Sequence, residues 1–157
     1  MAINALFGFS FVVSEDMNDD GLGEIVVGSP GYAELGLLPV RIGAALVYYS
    51  PNLATNTPVK LAAPSSSLLG IPLLNNSVNL FGFSVDGFGD YNKDGKPDII
   101  VGAAASATLT LGNFLGGSVY EYNGNGSGVN TSIGTEFTAS SSLINSTANL
   151  FGYSVKG

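Results

Sequence analysis

Hydrophobic residues along this chain occur in short runs, which are separated by turns rich in Gly, Ser, Asn and Pro. The runs favour β-branched and aromatic residues, and none keeps a helical apolar period for long, so the pattern predicts strands. Two runs of Ile and Val, within the predicted strands at 24–27 and 98–101, are typical of strands buried on both faces. The other predicted strands are 7–13, 44–49 and 58–62 in the first half, and 81–86, 117–122 and 135–139 in the second.

The two halves of the chain are copies of one unit. The segment that begins Phe7-Gly8 recurs at Phe81-Gly82 and at Phe151-Gly152, with spacings of 74 and 70 residues. A repeat of four strands is the unit of a propeller blade. The sequence therefore predicts an all-β fold with two β-propeller blades of four antiparallel strands each, at 1–74 and 75–148, and the first strand of a further blade at 149–157.

Acidic residues are concentrated in two clusters, at 15–24 and 86–98. The chain has 12 acidic and 5 basic residues, a net charge of -7, and its basic residues form no patch, which argues against a nucleic-acid partner. An ordinary solvated surface would spread its acids more evenly. The two clusters therefore need a counter-cation.

Each cluster contains the pattern Asp-x-Asn-x-Asp-Gly-x-x-Glu/Asp, which we call loop 1 (residues 16–24) and loop 2 (residues 90–98). Calcium takes about six to eight oxygen ligands, and alternating oxygen side chains with a glycine at the sixth position can curl around one ion. The pattern predicts two Ca²⁺ sites, each with a carbonyl ligand at position seven and a closing acid at position nine. The predicted ligands are Asp16, Asn18, Asp20, the carbonyl of Leu22 and Glu24 in loop 1, and Asp90, Asn92, Asp94, the carbonyl of Lys96 and Asp98 in loop 2.

The nine-residue pattern has two alternative interpretations. An EF-hand would need a Glu at position twelve and flanking helices, but that position is Val27 or Val101 inside an apolar run. The second alternative is an Asx-rich hairpin without metal. It is disfavoured because three or four carboxylates within nine residues would repel one another without a cation.

These motifs together resemble the FG-GAP repeat, which forms the blades of the integrin α-subunit propeller and of many secreted propellers. The Phe-Gly elements are those named above, and Gly28-Ser29-Pro30 supplies the Gly-Ala-Pro element, whose second copy departs from the pattern at Ala104. The resemblance implies that calcium lies between the first and second strands of each blade. It also implies that ligands meet the opposite face, at 30–42 and 103–116.

The two segments on that opposite face are mostly apolar, and they either pack against neighbouring blades or form a contact surface for a partner. Their apolar residues are Leu35, Leu37, Leu38, Leu109, Leu111, Phe114 and Leu115. The aromatic residues that recur with the repeat are interpreted as core packing between blades. They are Phe7, Phe9, Phe81, Phe83, Phe151 and Tyr153.

The chemistry available to the chain points away from catalysis. It has no Cys and no His, and no Gly-x-Ser-x-Gly motif or P-loop, so we expect a non-enzyme. The acids outside the predicted ligand sets that could serve a glycosidase, Asp86, Glu34, Glu121 and Glu136, do not recur in both repeats. Four sequons begin at Asn75, Asn125, Asn130 and Asn145, although such triplets arise by chance in a chain rich in Asn and Ser.

The predicted function is a calcium-binding module in the extracellular space or on the cell surface, used in adhesion or in binding a protein or other ligand. The alternatives are a structural repeat of a surface filament and an accessory propeller of a secreted enzyme. No signal peptide or membrane-spanning segment is expected in this sequence. Two blades do not close a ring, so we expect part of a longer chain, self-assembly through propeller edges, or an unclosed array of blades.

Overall fold

The fold is described here from a computed structural model, which covers residues 5–34, 40–41, 43–53, 55–63, 80–106, 116–138 and 151–157. Ten strands follow one another along these residues. They are β1 (Ser10–Val13), β2 (Ile25–Ser29), β3 (Ala33–Glu34), β4 (Val40–Arg41), β5 (Ala44–Tyr48), β6 (Val59–Leu61), β7 (Phe81–Asp86), β8 (Ile99–Ser106), β9 (Gly116–Tyr122) and β10 (Thr135–Thr138).

The strands form two four-stranded antiparallel sheets, in the orders β1-β2-β5-β6 and β7-β8-β9-β10. This confirms the predicted all-β fold and the two propeller blades, blade 1 and blade 2. Within the described residues there is no helix long and apolar enough to cross a membrane. The predicted repeat boundaries after residues 74 and 148 lie outside the described residues.

The strands differ most from the sequence prediction at three places. β1 begins at Ser10 instead of residue 7, because the residues before it form a turn in which Leu6 and Gly8 have positive φ. β8 continues to Ser106 instead of ending at residue 101, and it stays paired with β9 as far as Gly116. The β3–β4 hairpin lies where the sequence analysis placed only a connecting segment.

The core lies between the two blades and is shared by them. Val26 and Val47 of blade 1 belong to the same buried cluster as Ile99, Val101 and Tyr122 of blade 2. The second strand of each blade is largely buried, as its apolar run predicted. Because each sheet supplies one side of this core, neither blade buries its apolar face without the other.

A repeated contact, which we call the seam, joins each Phe-Gly element to the blade before it. Ser10 Oγ donates a hydrogen bond of 3.0 Å to the Gly82 carbonyl. One repeat later, Ser84 Oγ donates one of 2.9 Å to the Gly152 carbonyl. Gly28 permits the close approach, since a Cβ there would collide with the Gly82 carbonyl oxygen and with Ser10 Oγ. Residues 151–157 thus dock on blade 2 as β7 docks on blade 1.

The expectation that the repeated aromatic residues pack in the core between blades is confirmed for Phe81, which belongs to the core that the two described blades share. Phe81 is fully buried, but Phe7, Phe9, Phe151 and Tyr153 keep between 38% and 58% of their surface exposed. Phe81 packs against the rings of Tyr120 and Tyr122 in the shared core, whereas the ring of Phe7 meets that of Tyr48 within its own blade, at 6.3 Å. The second aromatic of each copy instead stacks along the repeat, with centroid distances of 4.6 Å for Phe9–Phe83 and 4.8 Å for Phe83–Tyr153.

Candidate metal centre

Loop 1 and loop 2 each connect the first and second strands of their blade. β1 pairs with β2 and β7 with β8, so the strand pairing brings the two ends of each loop together. The backbones match, because position four has a positive φ in both loops, 59° at Asp19 and 63° at Lys93. The glycine at position six also has a positive φ, 85° in loop 1 and 86° in loop 2, a conformation that other residues rarely adopt.

The first acid of each loop organises the turn by accepting backbone hydrogen bonds. Asp16 accepts from the N–H groups of Asp20 (3.1 Å) and Gly21 (2.7 Å). In loop 2, Asp90 accepts from the same two positions at 2.9 and 2.8 Å. The Asn at position three also accepts from the N–H at position five in both loops. The turn from position one to position seven is therefore hydrogen-bonded alike in the two loops.

Glu24, the closing acid of loop 1, is fully buried. Its Oε2 accepts a hydrogen bond of 2.8 Å from the Met17 N–H, while its Oε1 is buried without a hydrogen-bond partner. Carboxylate oxygens of Asp16, Asp20 and Glu24 all lie within 4.8 Å of one another. Burial raises the pKa of Glu24, and the charges of Asp16 and Asp20 raise it further, against the Met17 N–H that lowers it. A buried oxygen without a partner, on a carboxylate that lies close to two others, suits a cation that prefers oxygen ligands.

Asp98, the closing acid of loop 2, is also fully buried, but both of its oxygens are engaged. Its Oδ2 accepts from the N–H groups of Tyr91 (2.8 Å) and Asn92 (3.2 Å), and its Oδ1 accepts from the Gly124 N–H at 3.0 Å. Among the described residues, the carboxylates of loop 2 do not converge within 4.8 Å as those of loop 1 do. The aspartate is one methylene shorter than Glu24, and it lies against the chain that follows β9.

The two loops touch through one ion pair. Lys96 Nζ of loop 2 donates to Asp19 Oδ2 of loop 1 at 2.7 Å, and both side chains stay partly exposed. The hydrogen bond and the charge of Asp19 raise the pKa of Lys96. This contact was missed by the sequence analysis, since 77 residues separate the partners and only the packing of the blades brings them together.

Other residues singled out in the sequence fall outside these loops. The exposed sequon residues Asn125 and Asn130 each accept a backbone hydrogen bond of 2.9 Å, whereas Asn75 and Asn145 lie outside the described residues. The seven apolar residues proposed for the opposite face also lie outside them. The Asp86 carboxylate is used by the N–H groups of Gly87 and Gly157.

Comparisons with known proteins place the chain among repeat proteins of this architecture. A family model described as FG-GAP repeat matches residues 81–127. The chain is 32% identical over 155 residues to integrin alpha-6 of Gallus gallus and 31% identical over 157 residues to integrin alpha-6 of Homo sapiens, with 96% of the chain covered in each case. It is 36% identical over 126 residues, 74% of the chain, to phosphatidylinositol-glycan-specific phospholipase D of Mus musculus. The chain spans only 12%, 11% and 13% of the lengths of these three relatives.

Proposed function

This chain contains FG-GAP repeats of the integrin α type, and from that premise we propose that it is a calcium-stabilised propeller module of the extracellular space or cell surface. In this proposal calcium binds in loop 1 and loop 2 and has a structural role. The module itself binds a protein or another ligand, as in adhesion, and catalyses no reaction.

The observation that supports calcium most is the closing acid of loop 1. Glu24 has one buried oxygen without a partner, and two further carboxylates, of Asp16 and Asp20, lie within 4.8 Å. A bound Ca²⁺ would be held by these side chains, by Asn18 and by the Leu22 carbonyl, and it would neutralise the cluster and fix the turn. The matching backbone of loop 2 supports a second ion there.

Thermal unfolding with calcium and with a chelator tests the proposal. A ligand present at one hundred times its Kd stabilises the folded state by about 2.7 kcal/mol. For a chain of this size each kcal/mol moves the Tm by about 2–4 °C, so we expect a rise of about 5–10 °C in calcium. The Asp16→Asn/Asp20→Asn double variant should lose most of this rise. Equal melting temperatures of the unmodified chain in calcium and in chelator would refute the calcium proposal.

The adhesive part of the proposal needs its own assay. We expect cells to attach to a surface coated with the chain in calcium, and to attach less when the chelator is added or when the double variant is used. If cells attach no better to the chain than to an albumin-coated surface, the binding role is contradicted and the calcium proposal still stands.

A second candidate is an accessory propeller that accompanies a secreted enzyme. It is favoured by the similarity to phosphatidylinositol-glycan-specific phospholipase D, a protein named for its enzymatic activity. In that arrangement the chain would still bind calcium but would show no calcium-dependent attachment of its own. The two assays together therefore separate this candidate from the adhesive module.

A further inference from the structure

We infer that the two loops are unequal: loop 1 binds Ca²⁺ on the order of tenfold or more tightly than loop 2, so the sites fill in sequence with loop 1 first. The inference rests on the proposed calcium function, and it concerns a difference that the shared nine-residue pattern does not reveal. Two observations support it, the closing acid and the charge of each loop, and the contact between the loops offsets it only in part.

The closing acids differ in how many lone pairs they have left for a cation. An ionised carboxylate offers about four lone-pair positions. Glu24 uses one of them, for the Met17 N–H. Asp98 uses three, for the N–H groups of Tyr91, Asn92 and Gly124. An ion in loop 2 must therefore share an acid that already holds its own turn and the segment after β9, whereas an ion in loop 1 meets an oxygen with no other partner.

The formal charge of the two loops differs by three. Residues 16–24 contain four acids and no base, whereas residues 90–98 contain three acids and two lysines, so the net charges are −4 and −1. Each loop has three acidic ligands, so the difference lies in the neighbouring charges of Asp19, Lys93 and Lys96, which act on a bound ion through Coulomb interactions that salt screens. Position four shows the contrast directly, since it is Asp19 in loop 1 and Lys93 in loop 2 at almost the same backbone angle.

The ion pair between the loops only partly offsets this difference. Lys96 is directed to Asp19 at 2.7 Å, so one lysine of loop 2 faces loop 1. Asp19 is at position four, which provides no predicted ligand, and the pair is exposed to solvent and screened by salt. The three carboxylates that converge in loop 1 are left without this lysine as a hydrogen-bond partner, among the contacts of the described residues.

Calorimetric titration of the chain with Ca²⁺, at low ionic strength and after removal of bound metal, tests the inference. We expect two phases with dissociation constants that differ on the order of tenfold or more. Glu24→Gln should abolish the tight phase and keep the weak one, and Asp94→Asn in the exposed part of loop 2 should do the reverse. Circular dichroism and melting of each variant in chelator show whether it is folded.

Two variants that exchange the charged residues at position four of the loops, Lys93→Asp and Asp19→Lys, test the effect of charge directly. Lys93→Asp gives loop 2 the residue that loop 1 has, at a backbone conformation that Asp19 already adopts. We expect it to tighten the weak phase severalfold and to leave the tight phase unchanged, an effect that shrinks in high salt. Asp19→Lys should weaken the tight phase.

The outcomes are distinct. A single transition with two ions per chain, or loss of the tight phase in Asp94→Asn instead of Glu24→Gln, would overturn the inference and leave the calcium proposal intact. A single transition with one ion per chain that disappears in Glu24→Gln would support it, since loop 2 would then be too weak to register. No heat of binding from a folded, metal-free chain would refute the proposed function itself, and with it the inference.

Discussion

Replacing Glu24 by Gln should have opposite effects on stability without and with calcium. Without calcium, the Glu24 carboxylate lies within 4.8 Å of two others. At that distance each neighbour repels it by about 3 kcal/mol at an effective dielectric constant near 20 and by about 1 kcal/mol in water-like surroundings. Asp20 is exposed, so the lower figure applies better to it. The neutral amide removes this repulsion, can keep the acceptor for the Met17 N–H, and should stabilise the calcium-free fold by about 1–3 kcal/mol.

With calcium the same substitution removes a charged ligand. Each tenfold loss of affinity then lowers the free energy of unfolding by about 1.4 kcal/mol at calcium concentrations above both dissociation constants. The assay is urea unfolding followed by circular dichroism, in chelator and in calcium, for the unmodified chain, Glu24→Gln and the control Glu15→Gln. Glu15 is an exposed acid next to loop 1, so its variant changes the net charge equally. The reasoning fails if Glu24→Gln destabilises the chain in chelator, or if both variants shift the curves alike.

Two further predictions concern the contacts between blades. Gly28→Ala should lower the free energy of unfolding by about 1–3 kcal/mol or more, because its Cβ would collide with the Gly82 carbonyl at the seam. An unchanged midpoint of urea unfolding would show that the blades can separate there without loss of stability. Tyr122→Phe removes the hydrogen bond of 2.6 Å from the buried hydroxyl to the Ala62 carbonyl and should cost about 1 kcal/mol at neutral pH. Burial raises the pKa of Tyr122 above its ordinary value of 10.0, so the folded state holds this proton more firmly and the contribution of Tyr122 to stability should fall as pH rises above about 10. In alkaline urea titrations the Phe variant should lack that part of the decline, and an equal decline in both proteins would contradict the assignment.

The strands and the loops could be predicted because their signals are local and occur twice. The Ile and Val run within 98–101 predicts a buried strand by itself, and its alignment with 24–27 identifies both segments as the second strand of their blade. Glycine at position six predicted the turn in both loops, and the structure has a positive φ there. These features depend on residues a few positions apart, which a sequence shows directly.

The remaining features depend on which surfaces meet. The burial of each repeated aromatic residue could not be predicted, since Phe7 and Phe81 have the same local sequence and differ only in the residues that pack beside them. The partners of Asp98 were missed for a similar reason, because Gly124 is 26 residues away and reaches the carboxylate only after β8 and β9 have paired. The pattern of a metal loop thus predicts its turn and its acids, but not how many hydrogen bonds each acid already accepts.

The seam has a consequence for how such chains lengthen during evolution. Each repeat carries both halves of the contact, a serine that donates to the next repeat and a Phe-Gly element that docks on the previous one. A duplicated unit of about seventy residues would therefore arrive with a complete set of matching ends. It could be inserted between existing repeats without creating a new contact by mutation, and it could be lost again by recombination, leaving its former neighbours complementary.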